Sequence, residues 1–227
     1  MDKKTIADKL SQKYLEIGYV SVTTMAMRDW NIIKNFIYPI ILPRAKKYIT
    51  CSNLLFNDYL DLMVCYVIGE LRNVPTKIYK GMEKVWNVSK EEIHYQAIKN
   101  MKNGGYYIKG IGETIDTVIT KEGKVVLFKE KRKLMYIMTN PSKLYGAAGI
   151  LDVDMIARFA DKHEANIFLL PSSIHEMVVV IDDGSKSVDE LNHIVQEVNA
   201  EQVVEKEWLG DYAYYYDRTN RKIRQTV

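Results

Sequence analysis

Apolar residues recur at helical spacing at Ile6, Leu10, Tyr14 and Ile17, behind a capping pair of Thr5 and Asp8, and Gly18 closes the pattern. This predicts a first helix. The β-branched residues within 19–27 predict a short strand. Trp30, Ile33 and Ile37 predict another helical stretch, which Pro39 and Pro43 break. Residues 59–70 form a continuous apolar run and residues 76–86 alternate, with Arg72, Asn73, Val74 and Pro75 as turn material between them. A β-hairpin follows from that order. Ser89, Lys90, Glu91 and Glu92 make a capping box ahead of Ile93, Ala97, Ile98 and Met101, which predicts a helix ending before Gly104 and Gly105.

Residues 104–120 read as irregular or extended chain. Residues 124–128 and 134–138 read as two strands around the charged turn Lys129-Glu130-Lys131-Arg132-Lys133. The small residues Gly146, Ala147, Ala148 and Gly149 allow close backbone approach. Met155, Ile156, Phe159 and Ala160 then mark an amphipathic helix opened by Asp152 or Asp154 and closing near His163. Two apolar runs, 167–170 and 177–181, flank Pro171-Ser172-Ser173, read as a turn. Ser187-Val188-Asp189-Glu190 is a second capping box, opening a helix with Leu191, Ile194, Val195 and Val198 on its apolar face. A tyrosine-rich strand over 212–216 and a basic tail end the chain.

These elements predict an α+β fold: mainly antiparallel sheet or sheets, with helices packed on one face. Strand, turn, strand, cap and helix occur in that order at 59–101 and again at 167–200, which gives a ββα pseudo-repeat or the same common motif used twice. The expected division is an N-terminal helical or irregular lobe over 1–58 and an α+β body over 59–227, the two able to form one continuous domain.

Composition then narrows the class. Apolar residues make up 47% and charged residues 27% of the 227, enough for a sizeable core and far from a disordered composition. The 32 basic and 29 acidic residues are interspersed, and their net charge of +3 is too small to point to nucleic acid or an anionic membrane. Of the two cysteines, Cys51 and Cys65, the second lies inside an apolar run, where a thiol behaves as a small hydrophobe; a reducing, cytoplasmic setting is expected. The N-terminus lacks the unbroken apolar core of a signal peptide, and no window reaches the roughly 18 to 20 apolar residues of a membrane span.

Three fragments carry a likeness to a known family: Met135-Tyr136-Ile137-Met138-Thr139-Asn140, Leu144-Tyr145-Gly146-Ala147-Ala148 and Leu170-Pro171-Ser172-Ser173-Ile174-His175-Glu176. With Asp61-Leu62, Val85-Trp86, Ala97, Asn100, Asp182-Asp183-Gly184 and Glu197-Val198-Asn199-Ala200, the ordered set resembles a family of uncharacterised Firmicute proteins known only as a domain of unknown function. The likeness runs from about residue 33 onward. Tyr145 departs from it, standing where the family pattern has histidine, as does the glycine-rich stretch 104–123. The resemblance implies a bacterial or phage protein carried on mobile elements, and it brings no catalytic residues with it. A fainter likeness to a second uncharacterised family, with an Ala-Val-Pro type strand ending, implies the same general fold.

Ser172, Ser173, His175 and Glu176 contain the residue types of nucleophilic catalysis and are the candidate catalytic group of a hydrolase. Their spacing opposes it: in an extended strand Ser173 and His175 share a face while Glu176 points to the other. A turn that satisfies backbone amides is the commoner use of such residues. His163, His175 and His193 with Glu176 or Asp182 lack metal-ligand spacing, His94 and His193 read as boundary residues, and no metal or cofactor is expected. Lys109-Gly110-Ile111-Gly112 and Gly146-Ala147-Ala148-Gly149 match no phosphate-binding fingerprint. Lys131 and Arg132, and Arg221 beside Tyr214 and Tyr216, are candidate nucleic-acid contacts, since cations near aromatic rings suit a stacking surface. Together with Tyr145 they are the candidate binding residues. The reading favoured over the hydrolase and nucleic-acid alternatives is a non-enzymatic module, an adaptor or inhibitor, that binds another protein and no membrane.

Overall fold

A computed structural model describes residues 27–44, 53–69, 75–110 and 135–226. The predicted helix over 6–17, nearly all of the strand predicted over 19–27, the strand at 124–128, the charged turn 129–133 and Cys51 lie outside them.

Asp29 caps a short helix, α1 (Trp30–Ile33), by accepting from the Asn31 amide, and a 3-10 turn (Lys34–Phe36) leads into β1 (Ile37–Pro43). The helix predicted through Ile37 therefore stops early, and both prolines lie within a strand. The physical reason is position. Among the described residues β1 ends its sheet and pairs with β3 alone, and Pro39 and Pro43 sit four residues apart, so both missing N–H groups fall on the side turned away from β3.

β2 (Phe56–Tyr59) and β3 (Leu62–Ile68) form a hairpin around Leu60 and Asp61, and β4 (Thr76–Lys77) pairs with the far end of β3. β3 is flanked by strands on both sides and is buried throughout, which is why its sequence is apolar without alternation. The strand expected over 76–86 is only these two residues. Gly81, with φ of 99°, turns the chain into α2 (Met82–Trp86) instead. The expected boundary near residue 58 falls inside β2, and β1 and β2 both join β3 in one sheet.

Ser89 caps α3 (Lys90–Asn103) by accepting from the Glu92 amide, and Ile93, Ala97 and Met101 form its buried stripe. The Asn100 side chain donates to the carbonyls of Lys34 at 2.7 Å and Ile37 at 2.8 Å, which ties α3 to the start of β1.

The second sheet is antiparallel throughout, in the order β10-β9-β7-β8-β6-β5. Its strands are β5 (Tyr107–Gly110), β6 (Met135–Thr139), β7 (Ile167–Ser173), β8 (Glu176–Ile181), β9 (Tyr214–Asp217) and β10 (Lys222–Gln225). Pro171, Ser172 and Ser173 belong to β7 with a register shift near Ser172, so the turn predicted there sits at Ile174 and His175. The basic tail is mostly strand, because β10 returns along β9. α4 (Val153–Lys162) is capped by Asp152, and α5 (Val188–Gln202) opens with both halves of the Ser187 and Glu190 capping box formed.

Alternation divides the second sheet. Ile167, Leu169, Met177, Val179, Tyr214 and Tyr216 join the core shared with the first sheet. Phe168 and Leu170, with Val178 and Val180, face the other way onto Leu191 and Val195 of α5. Each such buried aliphatic side chain contributes roughly 1.5–3 kcal/mol. The architecture is the expected α+β fold with antiparallel sheets.

Between the sheets runs a 3-10 segment (Gly146–Leu151), packed against β1 on one side and β6 and β8 on the other. A Cβ on Gly146 would overlap Thr139 Oγ1 and the His175 carbonyl oxygen. Gly184 has φ of 71° and open space around it, so only backbone strain opposes a side chain there. Gly146→Ala is expected to cost about 3 kcal/mol or more through overpacking, and Gly184→Ala about 1–2 kcal/mol; urea unfolding midpoints of the two variants check the order.

Candidate functional site

The bend between β7 and β8 meets the loop after β6, and the loop is shaped first by Asn140. Its side chain, 7% exposed, donates to the Leu144 carbonyl at 2.8 Å and accepts from the Ser142 hydroxyl at 2.9 Å and the Leu144 amide at 3.3 Å. An asparagine holding its own following turn in this way stiffens four residues at once. Tyr145 emerges with φ of 55° and its amide donates to His175 Nδ1 at 3.0 Å, while the two rings lie 5.6 Å apart. Thr139 Oγ1 donates to the His175 carbonyl at 2.9 Å.

This geometry fixes the imidazole. An amide can only donate, so Nδ1 accepts and the proton of the neutral ring sits on Nε2. Nε2 is 3.9 Å from Glu207 Oε1, beyond direct hydrogen-bond reach, and the Ile174 amide donates to the Glu207 carbonyl at 2.8 Å. Ser173 Oγ accepts from the backbone amide of His175 at 3.1 Å, so the hydroxyl serves the turn. A serine relay needs an imidazole lone pair aimed at the hydroxyl, and the Nδ1 lone pair is held by Tyr145. Ser172, at the register shift, is half-buried, and Glu176 pairs opposite Ser173 in the ladder. Burial raises the Glu176 pKa, with the nearby His175 and Lys143 pulling it back.

Beside the bend lies a cleft of about 410 Å³, walled by Tyr38 and Pro39 of β1, Tyr106 before β5, and the loop residues Pro141, Leu144 and Tyr145. Tyr145 is the residue shared by the cleft and the bend; Ser172, Ser173 and His175 do not line it. Leu144, 43% exposed, stands at its rim.

The remaining candidates are dispersed. Lys131 and Arg132 lie outside the described residues. Tyr214 and Tyr216 are 1% and 0% exposed and point into the core, away from any stacking surface. The Tyr214 hydroxyl donates to Asp61 Oδ1 at 2.7 Å, and burial, then that carboxylate, raises its pKa. Arg221 and Arg218 donate to the two oxygens of Asp161 at 2.7 and 3.0 Å, and Arg224 lies over the Tyr215 ring at 4.9 Å. His163 packs on Tyr136 and Phe159, and His193 pairs with Glu197 at 3.2 Å on an exposed helix face. Among the described residues no three of His, Cys, Asp and Glu gather to hold a metal ion. No helix among them is long and apolar enough to cross a membrane.

Sequence reasoning missed Glu207, because its approach to His175 comes from a distant 3-10 turn, and it missed the role of Asn140, whose Asn-Pro context was visible. It also missed the network around Tyr66. That fully buried phenol lies 2.9 Å from both the Asn57 amide and His94 Nδ1, and burial raises its pKa.

Fold and site together define an α+β protein built on two antiparallel sheets, with a cleft beside the loop after β6. The chain belongs to a family of unknown function, DUF5688, whose model matches residues 2–218. No curated protein and no solved structure matches it.

Burial lowers the pKa of half-buried His94, and that of His163, below the ordinary value of about 6.5. The folded chain then binds fewer protons than the unfolded chain, so their contribution is complete above that value and is lost as pH falls through the folded pKa. Wild type is expected to lose more stability between neutral and mildly acidic pH than His94→Gln does, measured as the difference in urea midpoints.

Proposed function

We propose that the protein is a non-enzymatic binding module, an adaptor or inhibitor, that engages another protein through the cleft bounded by Tyr38, Tyr106 and Tyr145. One observation carries this reading: the Ser173 hydroxyl oxygen accepts the His175 amide within the bend, and the His175 imidazole accepts the Tyr145 amide and so holds a wall of the adjacent cleft. A group whose lone pair already accepts a structural amide is a poor general base, whereas a wall held in place is well suited to recognition.

The hydrolase alternative through Ser173 and His175 gains no support from a hydroxyl that caps its own turn. The nucleic-acid alternative gains none from Arg218 and Arg221, which share a carboxylate. Exposed Leu144 and the half-buried ring of Tyr145 give the cleft an apolar rim of the kind that anchors protein contacts.

Leu144→Glu places a charge at that rim without touching the core. A binary partner isolated with the wild-type chain is expected to bind Leu144→Glu at least about tenfold more weakly, and to bind His175→Ala more weakly than wild type because Tyr145 loses the bond that holds it, by calorimetric titration. Turnover of an ester or peptide substrate that His175→Ala abolishes without lowering the thermal midpoint would overturn the reading.

A further inference from the structure

Tyr66 of β3 is fully buried, and among the described residues its hydroxyl has two partners, the Asn57 side-chain amide and His94 Nδ1, each at 2.9 Å. Asn57 pairs with Val64 in the β2–β3 ladder, so it shares a sheet face with Tyr66 two residues further along. His94 comes from the first half of α3, and its ring stands nearly perpendicular to the phenol, at 79°, with centroids 6.0 Å apart.

The donors and acceptors fix where the protons sit. An amide NH2 can only donate, so the phenol oxygen accepts from Asn57. The phenol's own proton, buried with it, needs an acceptor, and His94 Nδ1 supplies one. The imidazole is thereby neutral, with its proton on Nε2. A second proton would have to go on Nδ1, which turns that atom from acceptor into donor. The phenol would then face two donors, and its own proton would be left buried without an acceptor. Parting the two rings removes that conflict, because an opened imidazolium regains water.

The ionisable groups that bear on the pair come from α3 and β3. Burial first, and then the Lys90 charge, hold the His94 pKa below its ordinary value, and Lys90 Nζ itself donates to the Phe56 carbonyl of β2 at 3.5 Å. Cys65 of β3 and exposed Glu91 of α3 act on the phenol and help keep it protonated. The second half of α3 is held by a different joint, the Asn100 side chain on the Lys34 and Ile37 carbonyls, and none of those groups titrates.

We infer that the Asn57–Tyr66–His94 chain is an acid-released latch: protonation of His94 frees the first half of α3 from the β2–β3 hairpin, while Asn100 keeps the second half on β1. This goes beyond the binding-module reading and does not depend on the cleft.

The test follows the full chain by NMR. At neutral pH the His94 ring nitrogens are expected to show the tautomer protonated on Nε2. Between about pH 7.5 and about pH 5, hydrogen-exchange protection at the amides of residues 93–96, corrected for intrinsic rates, is expected to fall at least about fivefold more than at residues 100–103. His94→Asn carries an oxygen close to the place of Nδ1 that does not titrate, and it is expected to lose that excess. A neutral ring protonated on Nδ1, an equal fall along the whole helix, or the same excess in His94→Asn would sink the latch. The tautomer and the exchange profile are read on the wild-type chain, so the proposal can fail even where His94→Asn does not fold.

Discussion

The rest of the structure depends on how closely two sheets can approach one stretch of backbone. Gly146, Ala147, Ala148 and Gly149 are all buried, and the 3-10 segment they begin fits between β1 and the pair β6 and β8 because nothing projects from the two glycines. Gly149 lies against Met138 and Tyr106, and Gly146 against Thr139 and the His175 carbonyl. Close-packed interiors have no slack to absorb a larger side chain there. That fit sets the distance between the sheets, fixes the Asn140 loop, and so forms the cleft.

Polar side chains supply a second layer of constraint at the joins between elements. Asn100 ties α3 to β1, and Tyr214 reaches from the second sheet to Asp61 in the first. Buried Asn192 accepts from the Ala213 amide at 2.8 Å, and Asn199 donates to the Gly210 carbonyl at 2.7 Å. Leaving one such buried partner unpaired costs about 1–3 kcal/mol, so each join resists substitution. Several of the fragments that resemble the family, around Asp61, Asn100, Thr139, Asn140, His175 and Asn199, coincide with these joins. The common features of such a sequence can therefore report architecture as readily as chemistry.

Legibility varied with the range of the interaction that decides each feature. α3, α4 and α5 were readable because Ser89, Asp152 and Ser187 act within three residues and their apolar stripes repeat within the same helix. β3, β6, β7 and β8 were readable as apolar runs. β1 was misread because a proline's meaning depends on which side of the strand has a neighbour, and the bend at Ile174 and His175 was misplaced because a register shift extends β7 through Ser173. At the site, Tyr145 and His175 were visible as residues, but not as a hydrogen-bonded pair.

The sequence by itself determined the local signals: helix caps, the period of each apolar run, the small residues that demand close packing, and the family. These rest on interactions between residues a few positions apart, which a linear pattern encodes. Only the tertiary structure decided that Tyr214 and Tyr216 face the core, that Arg218 and Arg221 converge on Asp161, and that His175 accepts from Tyr145 with Glu207 nearby. Each of those joins residues at least thirty positions apart, or a side chain to one of two sheet faces, and such choices are made by strand pairing and packing.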